Sequence, residues 1–408
     1  MVKILDILAS MRPLFYVTRD IERAIGVPLS PPFYFIISNF TPFSKTLAEG
    51  RTNILLVESE ALLDTHELLN HKTVQDFITK NCENNKANIL VFKNTAVIEK
   101  ICADMNWHLL NPSAKLSQTI EEKISQVEWL DELRKYLPPH KMQVARDVVF
   151  DDKPFILQFN RAHTGLGTML ITSEFELADI QNKFPDRPVR ITQFIDGPML
   201  TSNNVVCTDK ILLGNISYQI TGTAPFTDNP FTTIGNDWSL PHTLLDDKLK
   251  AQYHTIATNI GNKLREYGWK GLFGIDVIFD TAAQKLYLIE INARQPASTT
   301  YESILQEKYT TFEAHLAALT DAPTSELTQI TDGAQIIVRN SEYMKGKKQE
   351  NIIQKLTDLN LDLNIILYTN TVPGSDWIRI QTTQSLFTAH NIFNDLGEKI
   401  KKTLEESL

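Results

Sequence analysis

The sequence predicts an α/β (α+β) protein, in which a doubly wound parallel-sheet domain is followed by a larger region with separate sheets. Three observations support this class. The 408 residues exceed a usual domain of roughly 150. Continuous apolar runs recur between 33 and 112. A long helical pattern at 246–267 then leads into two strand-like runs at 272–292. The predicted division is 1–112, 113–325 and 326–408.

The composition is that of an ordinary globular protein, with 42% hydrophobic and 22% charged residues. The cysteines are three in number, lie far apart and form no CxxC pair, so neither a disulfide framework nor a zinc cluster is expected. A formal net charge of -9 without a basic block argues against a nucleic-acid partner. No apolar run approaches the ~18 residues of a membrane span. The first residues, MVKILDILASMRP, lack a secretory pattern, so we expect a cytoplasmic protein without a membrane partner.

The first region alternates short apolar runs with polar helical stretches. Runs of Ile, Leu and Val without alternation are typical of strands buried on both faces of a parallel sheet. No G-x-G-x-x-G follows any of them, so a dinucleotide site is not expected. The predicted strands are FYFIIS at 33–38, NILLVE at 53–58, NILVF at 88–92 and WHLLNP at 107–112.

The second region begins with a predicted helix that Ser113 or Ser117 caps and that ends before Pro138. A compact unit follows at about 145–195, with strands at 155–159, 169–172 and 189–195 and a helix near 174–182. Past the helix at 246–267 and a linker at 322–334, the last region mixes strands with a charged C-terminal helix.

Two carboxylates are expected to meet on the hairpin at 272–292. If Asp280 pairs with Leu286, Asp276 lies directly opposite Glu290, and Ile278, Leu288 and Asn292 share their face. Like charges at about 4.5–5.5 Å destabilise a sheet unless a cation lies between them. Oxygen ligands of this kind suit Mg²⁺ together with nucleotide phosphates. Ordinary surface acids on a solvent-facing strand are the alternative. Arg294, two residues beyond Asn292, is expected on the same face.

These segments resemble the ATP-grasp superfamily of carboxylate-amine or carboxylate-thiol ligases, over roughly residues 30–325. GLFGIDVIF at 271–279 and LYLIEINAR at 286–294 are similar to the strands that hold Mg²⁺ on the nucleotide phosphates. The resemblance implies Asp276, Glu290 and Asn292 as metal ligands, and Asn292 and Arg294 as catalytic residues. It also implies an ATP-grasp fold with an N-terminal pre-ATP-grasp domain, a lid at about 145–195 and a C-terminal α/β subdomain.

The resemblance assigns the nucleotide contacts as well. RAHTGLGTML at 161–170 looks like the glycine loop over the β- and γ-phosphates, with His163, Gly165 and Gly167, although a plain hairpin turn would read the same. Lys123 matches the first phosphate-binding lysine, with a solvated helix lysine as the alternative. ITQFIDG at 191–197 is similar to the strand beside the adenine, which implies contacts from Gln193, Phe194 and Ile195.

One position departs from the family pattern. A second lysine is usual on the strand before the glycine loop, and FILQFNRAHTG places Gln158 there. Glutamine brings no charge, so the missing positive charge must come from elsewhere, with Arg161 and His163 as candidates. If Gln158 points at phosphate, Gln158→Lys should tighten ATP binding.

The implied activity is ATP-dependent formation of an amide or peptide bond through an acyl phosphate, with release of ADP and phosphate. The implied cofactors are ATP and Mg²⁺, with two ions expected and Mn²⁺ as a substitute. The partners are small carboxylate and amine substrates, and a homodimer is left open. The rivals are a biotin-carboxylase-like enzyme or a phosphotransferase of the same fold, and an ATP-binding regulatory protein with impaired catalysis.

Overall fold

The computed structural model describes residues 13–29, 33–82, 86–160, 167–369 and 372–407. Within these ranges, every helix is too short or too polar to cross a bilayer. Most of the segment on which the secretory expectation rests, residues 1–12, lies outside them.

The N-terminal domain is a five-stranded parallel sheet with the order β3-β2-β1-β4-β5. Separate apolar clusters cover its two faces, which confirms the doubly wound arrangement. The central strand, β1, was not predicted from the sequence. The elements are β1 (Leu14–Val17), β2 (Tyr34–Asn39), α1 (Pro42–Ala48), β3 (Ile54–Val57), α2 (Thr65–Asn70), α3 (Lys72–Lys80), β4 (Asn88–Val91), α4 (Ala96–Asp104) and β5 (His108–Leu109).

The single helix predicted from Ser113 to Pro138 is wrong. The segment folds as α5 (Ala114–Glu121), α6 (Ser125–Leu130) and a 3-10 helix, Asp131–Tyr136. Ser113 caps α5 by accepting a hydrogen bond from the backbone N–H of Leu116. The chain breaks after α5 because Asn160 captures the next amides: its side-chain oxygen accepts from the N–H of Ile124 at 2.8 Å, and its backbone carbonyl accepts from the N–H of Lys123.

A small antiparallel sheet follows, with the strand order β6-β9-β7-β8. Its apolar face, with Leu157 and Val189, packs on α7 through Leu177. Since side chains alternate along a strand, Gln158 and Arg190 lie on the opposite face. The elements are β6 (His140–Val144), β7 (Phe155–Phe159), β8 (Thr168–Ile171), α7 (Glu174–Lys183) and β9 (Pro188–Gln193). We call this unit the lid.

The rest of the chain builds a nine-stranded sheet with the order β15-β14-β10-β12-β13-β16-β18-β17, to which β11 pairs through β10. The strands before and after the linker at 322–334 therefore belong to one sheet. Its elements are β10 (Met199–Val206), β11 (Ile211–Leu212), β12 (Ser217–Thr221), β13 (Thr233–Asp237), α8 (Pro241–Leu244), α9 (Asp247–Glu266), β14 (Gly271–Asp280), β15 (Lys285–Asn292), α10 (Thr299–Leu305), α11 (Thr311–Leu319), β16 (Ala334–Arg339), α12 (Gln349–Asp358), β17 (Asn364–Leu367), β18 (Asp376–Thr382), β19 (Phe387–Ala389), β20 (Ile392–Phe393) and α13 (Asp395–Glu405).

The two faces of this large sheet differ in chemistry. One face packs its apolar side chains against α9 near the hairpin and against α12 and α13 at the other end. The other face carries a row of amides and hydroxyls joined across strands. Asn236 donates to Ser217 at 3.1 Å, Gln335 donates to Asn236 at 3.3 Å, and Gln381 donates to Gln335 at 3.4 Å. This polar row ends at the hairpin, where Thr201 lies opposite Asp276.

A buried histidine makes the stability of the large sheet pH-dependent. The Nδ1 atom of His315 accepts a hydrogen bond from the backbone N–H of Leu272 at 3.1 Å, and burial lowers the pKa of His315 to about 3. The unfolded chain therefore binds this proton first, and the stabilisation is present above about pH 6.5 and lost as the pH falls below it.

His315→Gln keeps an acceptor without the titration. Between pH 7.5 and 5.5 we expect the wild-type protein to lose about 1 kcal/mol more in free energy of unfolding than the variant. Urea unfolding at the two pH values measures this difference. Parallel losses in both proteins would contradict the assignment.

Candidate active site

The two carboxylates of the hairpin face each other across β14 and β15. Asp276 pairs directly with Glu290, as predicted, but by a different register. The predicted pairing of Asp280 with Leu286 is wrong, because Asp280 pairs with Lys285. A β-bulge between Asp276 and Val277 supplies the one-residue shift that brings the acids into register.

The bulge also changes which side chains share the face of the acids. Leu288, predicted on that face, is fully buried in the core with Val277. Tyr287 takes the place beside Ile278. A bulge inserts one extra residue on one strand, here Ile289, and reverses the facing of the residues beyond it.

Asp276 and Glu290 occupy electrostatically different positions. Burial and the neighbouring charge of Glu290 raise the pKa of Asp276 to about 6, although the Nδ2 atom of Asn292 donates to its Oδ2 atom at 3.2 Å. Burial also acts to raise the pKa of Glu290, but nearby cations, above all Lys123, hold it below its usual value. The pair therefore needs positive charge to stay ionised.

Lys123 supplies much of that charge. Its Nζ atom lies 2.9 Å from Oε2 of Glu290, and its side chain is only 15% exposed. It occupies this position because the helix breaks at 122–124. The sequence could not show this contact, since a continuous helix would carry Lys123 in a regular turn.

Arg294 lies beside the same carboxylates and is held by a residue that sequence reasoning missed. Glu121, at the end of α5, accepts hydrogen bonds from Arg294 and from Lys93, the latter at 2.7 Å. Burial works against the charge of Arg294, but Glu121 and Glu290 raise its pKa above the usual value. Ser117, on the same helix, donates to the backbone carbonyl of Ala293. α5 thus fixes both the backbone and the side chain of this segment.

Glu121→Gln tests this positioning. The loss of one carboxylate leaves Arg294 and Lys93 without their shared anion, so the guanidinium should lose its fixed orientation. We expect kcat to fall about tenfold with a smaller change in KM for ATP. Glu128→Gln, at an exposed position on the next helix, is the matched control. A change in KM alone would show that Glu121 acts on binding instead.

On the lid, Gln158 points to the face opposite α7, but it does not stand alone there. Its Oε1 atom accepts hydrogen bonds from Nε and Nη2 of Arg190, at 2.9 and 2.6 Å, and its Nε2 atom donates to Thr168 at 3.1 Å. Thr168 and Glu290 line one cavity, so the lid and the hairpin meet there. The sequence analysis did not name Arg190.

The glycine loop lies largely outside the described residues. Arg161, His163 and Gly165 fall in the undescribed stretch 161–166. Gly167 is described, and its carbonyl accepts the backbone N–H of Phe159 at 3.0 Å, which closes the strand pair below the loop.

The residues assigned to the adenine connect the lid to the large sheet. Gln193 ends β9 and donates its backbone N–H to Pro139 at 2.9 Å. Phe194 is half-buried and Ile195 is buried. Their contact with an adenine stays a prediction.

A cavity of about 810 Å³ opens between the N-terminal domain, α5 and the lid. Its size is sufficient for a small-molecule substrate. Its wall combines groups of both charges with the edge of the glycine loop, and includes Lys93, Lys115, Glu121, Lys123, Gly167, Glu290 and Arg294.

The donor set of the hairpin fits Mg²⁺. Asp276, Glu290 and Asn292 offer two carboxylates and an amide, which are hard oxygen ligands. Among the residues the structure describes, no three His, Cys, Asp or Glu side chains form a cluster that could hold a metal by themselves. Mg²⁺ usually binds through one or two carboxylates together with phosphates and water.

The fold has counterparts among solved structures. No protein-family model matches the sequence, and no curated protein sequence matches it. N5-carboxyaminoimidazole synthetase from Staphylococcus aureus, solved with ADP, is similar with a TM-score of 0.66 at 12% identity, over 97% of each chain. Carboxyaminoimidazole ribonucleotide synthase from Aspergillus clavatus, solved with ATP, gives 0.65 at 15%, over 97% of this chain and 99% of that one.

L-amino acid ligase from Bacillus licheniformis gives a TM-score of 0.66 at 12% identity, over 98% of each chain. At these sequence identities the similarity shows the fold but does not identify the substrate. The similarity spans the parallel N-terminal sheet, the lid and the large antiparallel sheet alike. The chain therefore has the ATP-grasp fold.

Proposed function

We propose that the protein is an ATP-dependent carboxylate-amine ligase that forms an amide or peptide bond through an acyl phosphate. The observation that carries this proposal is the site on the hairpin. Asp276 and Glu290 oppose each other, Asn292 bonds to Asp276, and Lys123 and Arg294 flank the pair at the wall of a substrate-sized cavity. Such a cluster binds phosphate oxygens and neutralises the charge that develops during transfer.

The proposed reaction has two displacements. A carboxylate oxygen of the first substrate forms a bond to the γ-phosphorus of ATP while the bond from that phosphorus to the β-phosphate oxygen breaks, which releases ADP. The amine nitrogen of the second substrate then attacks the acyl carbon. The bond from that carbon to the phosphate oxygen breaks, phosphate leaves, and the nitrogen loses a proton to give the amide.

The protein's part is to position and to neutralise. Asp276, Glu290 and Asn292 would hold Mg²⁺, which supplies Lewis-acid neutralisation of the phosphates when bound. Arg294, fixed by Glu121, faces the negative charge of the transferred phosphoryl group. Lys123 offers its ammonium to a phosphate that enters beside Glu290. The lid and the residues 193–195 that connect it to the large sheet enclose the nucleotide.

The similar structures support a ligase among the rivals. One of them is an L-amino acid ligase, and others are carboxyaminoimidazole synthetases solved with ADP or ATP. Small carboxylic acids and amino acids are therefore the first substrates to test.

The decisive experiment incubates the full chain with Mg²⁺, ATP and pools of amino acids and small carboxylic acids, and measures ADP, phosphate and new masses. We expect equal amounts of ADP and phosphate and a product equal in mass to two substrates less one water. A stable phosphorylated product would favour a phosphotransferase, and dependence on bicarbonate and biotin a carboxylase. ATP binding without turnover in any pool would favour the regulatory protein.

A further inference from the structure

Arg190 is a buried cation with neutral partners. It lies on β9, directly opposite Gln158 of β7, and only 2% of it is exposed. Its Nε and Nη2 atoms donate to Oε1 of Gln158, and its Nη1 atom donates to Oε1 of Gln126 at 3.4 Å. Both partners are amides. Within the described part of the chain, no carboxylate forms an ion pair with this guanidinium.

Such an arrangement is costly without an anion. A charge buried away from water needs an opposite charge or a full set of strong hydrogen bonds. Burial lowers the pKa of Arg190 to about 10, and among the described residues the charge of Glu290 acts against this shift. Glu290 is already paired with Lys123 at 2.9 Å. The positive charge of Arg190 is therefore available to an anionic ligand.

The place of Arg190 identifies the class of that ligand. It stands on the face of the lid opposite α7, beside the position where the family pattern has a lysine. Its partner Gln158 bonds to Thr168, which lines the same cavity as Lys123, Glu290 and Arg294. We propose that Arg190 binds a phosphate of the nucleotide and replaces the lysine that is missing at Gln158. This inference rests on the proposed function, because the ligand is its ATP.

Gln158 then acts as a positioning residue. One carbonyl oxygen that accepts from two nitrogen atoms of a guanidinium fixes the plane of that group. A lysine at 158 would remove this acceptor and place two cations directly opposite each other on neighbouring strands. We therefore expect Gln158→Lys alone to weaken ATP binding, which reverses the expectation from sequence.

The test compares the affinities of ATP and of adenosine, by calorimetry at two ionic strengths. Arg190→Gln should weaken ATP binding at least tenfold and leave adenosine unchanged, and the remaining ATP affinity should depend less on salt. Lys141→Gln, which removes an exposed charge from β6 of the same unit, should have little effect. The double variant Gln158→Lys/Arg190→Gln restores the family arrangement and should recover most of the lost affinity.

The outcomes separate the inference from the function on which it rests. Equal ATP affinity of Arg190→Gln and the wild-type protein would overturn the role of Arg190 and leave the ligase proposal standing. Equal losses for ATP and adenosine would show a structural role and also overturn it. If Arg190→Gln fails to fold, the double variant provides the test. A double variant that folds but does not bind ATP would show that a lysine at 158 cannot replace Arg190, and would overturn the inference. A wild-type protein that binds adenosine but not ATP would overturn both proposals.

Discussion

Glu290→Gln is expected to abolish the Mg²⁺-dependent part of ATP binding and to lower turnover at least a hundredfold. The amide cannot supply the negative charge that a divalent cation needs, and Asp276 alone is a poor site. Calorimetry of ATP with Mg²⁺ and with a chelator measures the first effect. Release of ADP measures the second. In the wild-type protein Mg²⁺ should tighten ATP binding, and in the variant it should not.

The fold should tolerate this change. Glu290→Gln removes the like-charge neighbour that raises the pKa of Asp276, but it also removes the partner of Lys123. Because the two effects oppose each other, we expect the free energy of unfolding to change by about 1 kcal/mol or less. Asp280→Asn, on the paired strand β14 near the turn, is the control and should keep full activity. Normal turnover of Glu290→Gln at saturating Mg²⁺ and ATP would refute the metal assignment.

Lys123→Met should have the second largest effect. It should weaken the binding of ATP and should make the protein respond to Mg²⁺ added without nucleotide. The loss of the ammonium beside Glu290 should weaken ATP binding at least tenfold, since a phosphate loses a cationic partner. In the absence of nucleotide the same change leaves the two carboxylates without their main cation. We expect the ligand-free variant to lose about 2 kcal/mol of stability, and Mg²⁺ alone to restore it.

The melting temperature with and without Mg²⁺ measures whether the metal replaces the missing ammonium. The wild-type protein should gain little from Mg²⁺ without nucleotide, because Lys123 already neutralises Glu290. Lys115→Met, an exposed lysine on the wall of the same cavity, is the matched control and should behave like the wild-type protein. If Mg²⁺ shifts the melting temperatures of Lys123→Met and the wild-type protein equally, Lys123 and the metal do not share Glu290.

The hairpin shows what a sequence can and cannot specify. The period of two along strands and the short turn after Asp280 predicted Asp276 opposite Glu290, and the structure contains this pair. They were not sufficient to place Leu288, because a bulge at Ile289 leaves no mark in an apolar run. The register predicted at the turn was wrong by one residue, and the bulge, which was not predicted, shifts the register back by one residue before the acids. Local periodicity also predicted the order of the strands and the helix in the lid, and the long helix α9.

The long-range contacts of the site could not be predicted from the sequence. Arg190 meets Gln158 across 32 residues of chain, and its significance depends on the strand register of the lid. Asn160 accepts the backbone N–H of Ile124, beyond the end of α5, from 36 residues away, and nothing in the local pattern from Leu116 to Leu137 indicates a break. Side chains that act at a distance along the chain have no periodic signature.

The capture of backbone amides by Asn160 couples two parts of the protein mechanically. Asn160 immediately precedes the glycine loop, its side chain bonds to Ile124 and Glu122, and its carbonyl bonds to Lys123. A shift in the base of that loop is therefore also a shift in the backbone that carries the ammonium beside Glu290. If a ligand displaces Asn160 and a cation at the carboxylates displaces Lys123, thermodynamic reciprocity requires that each changes the affinity of the other by the same factor.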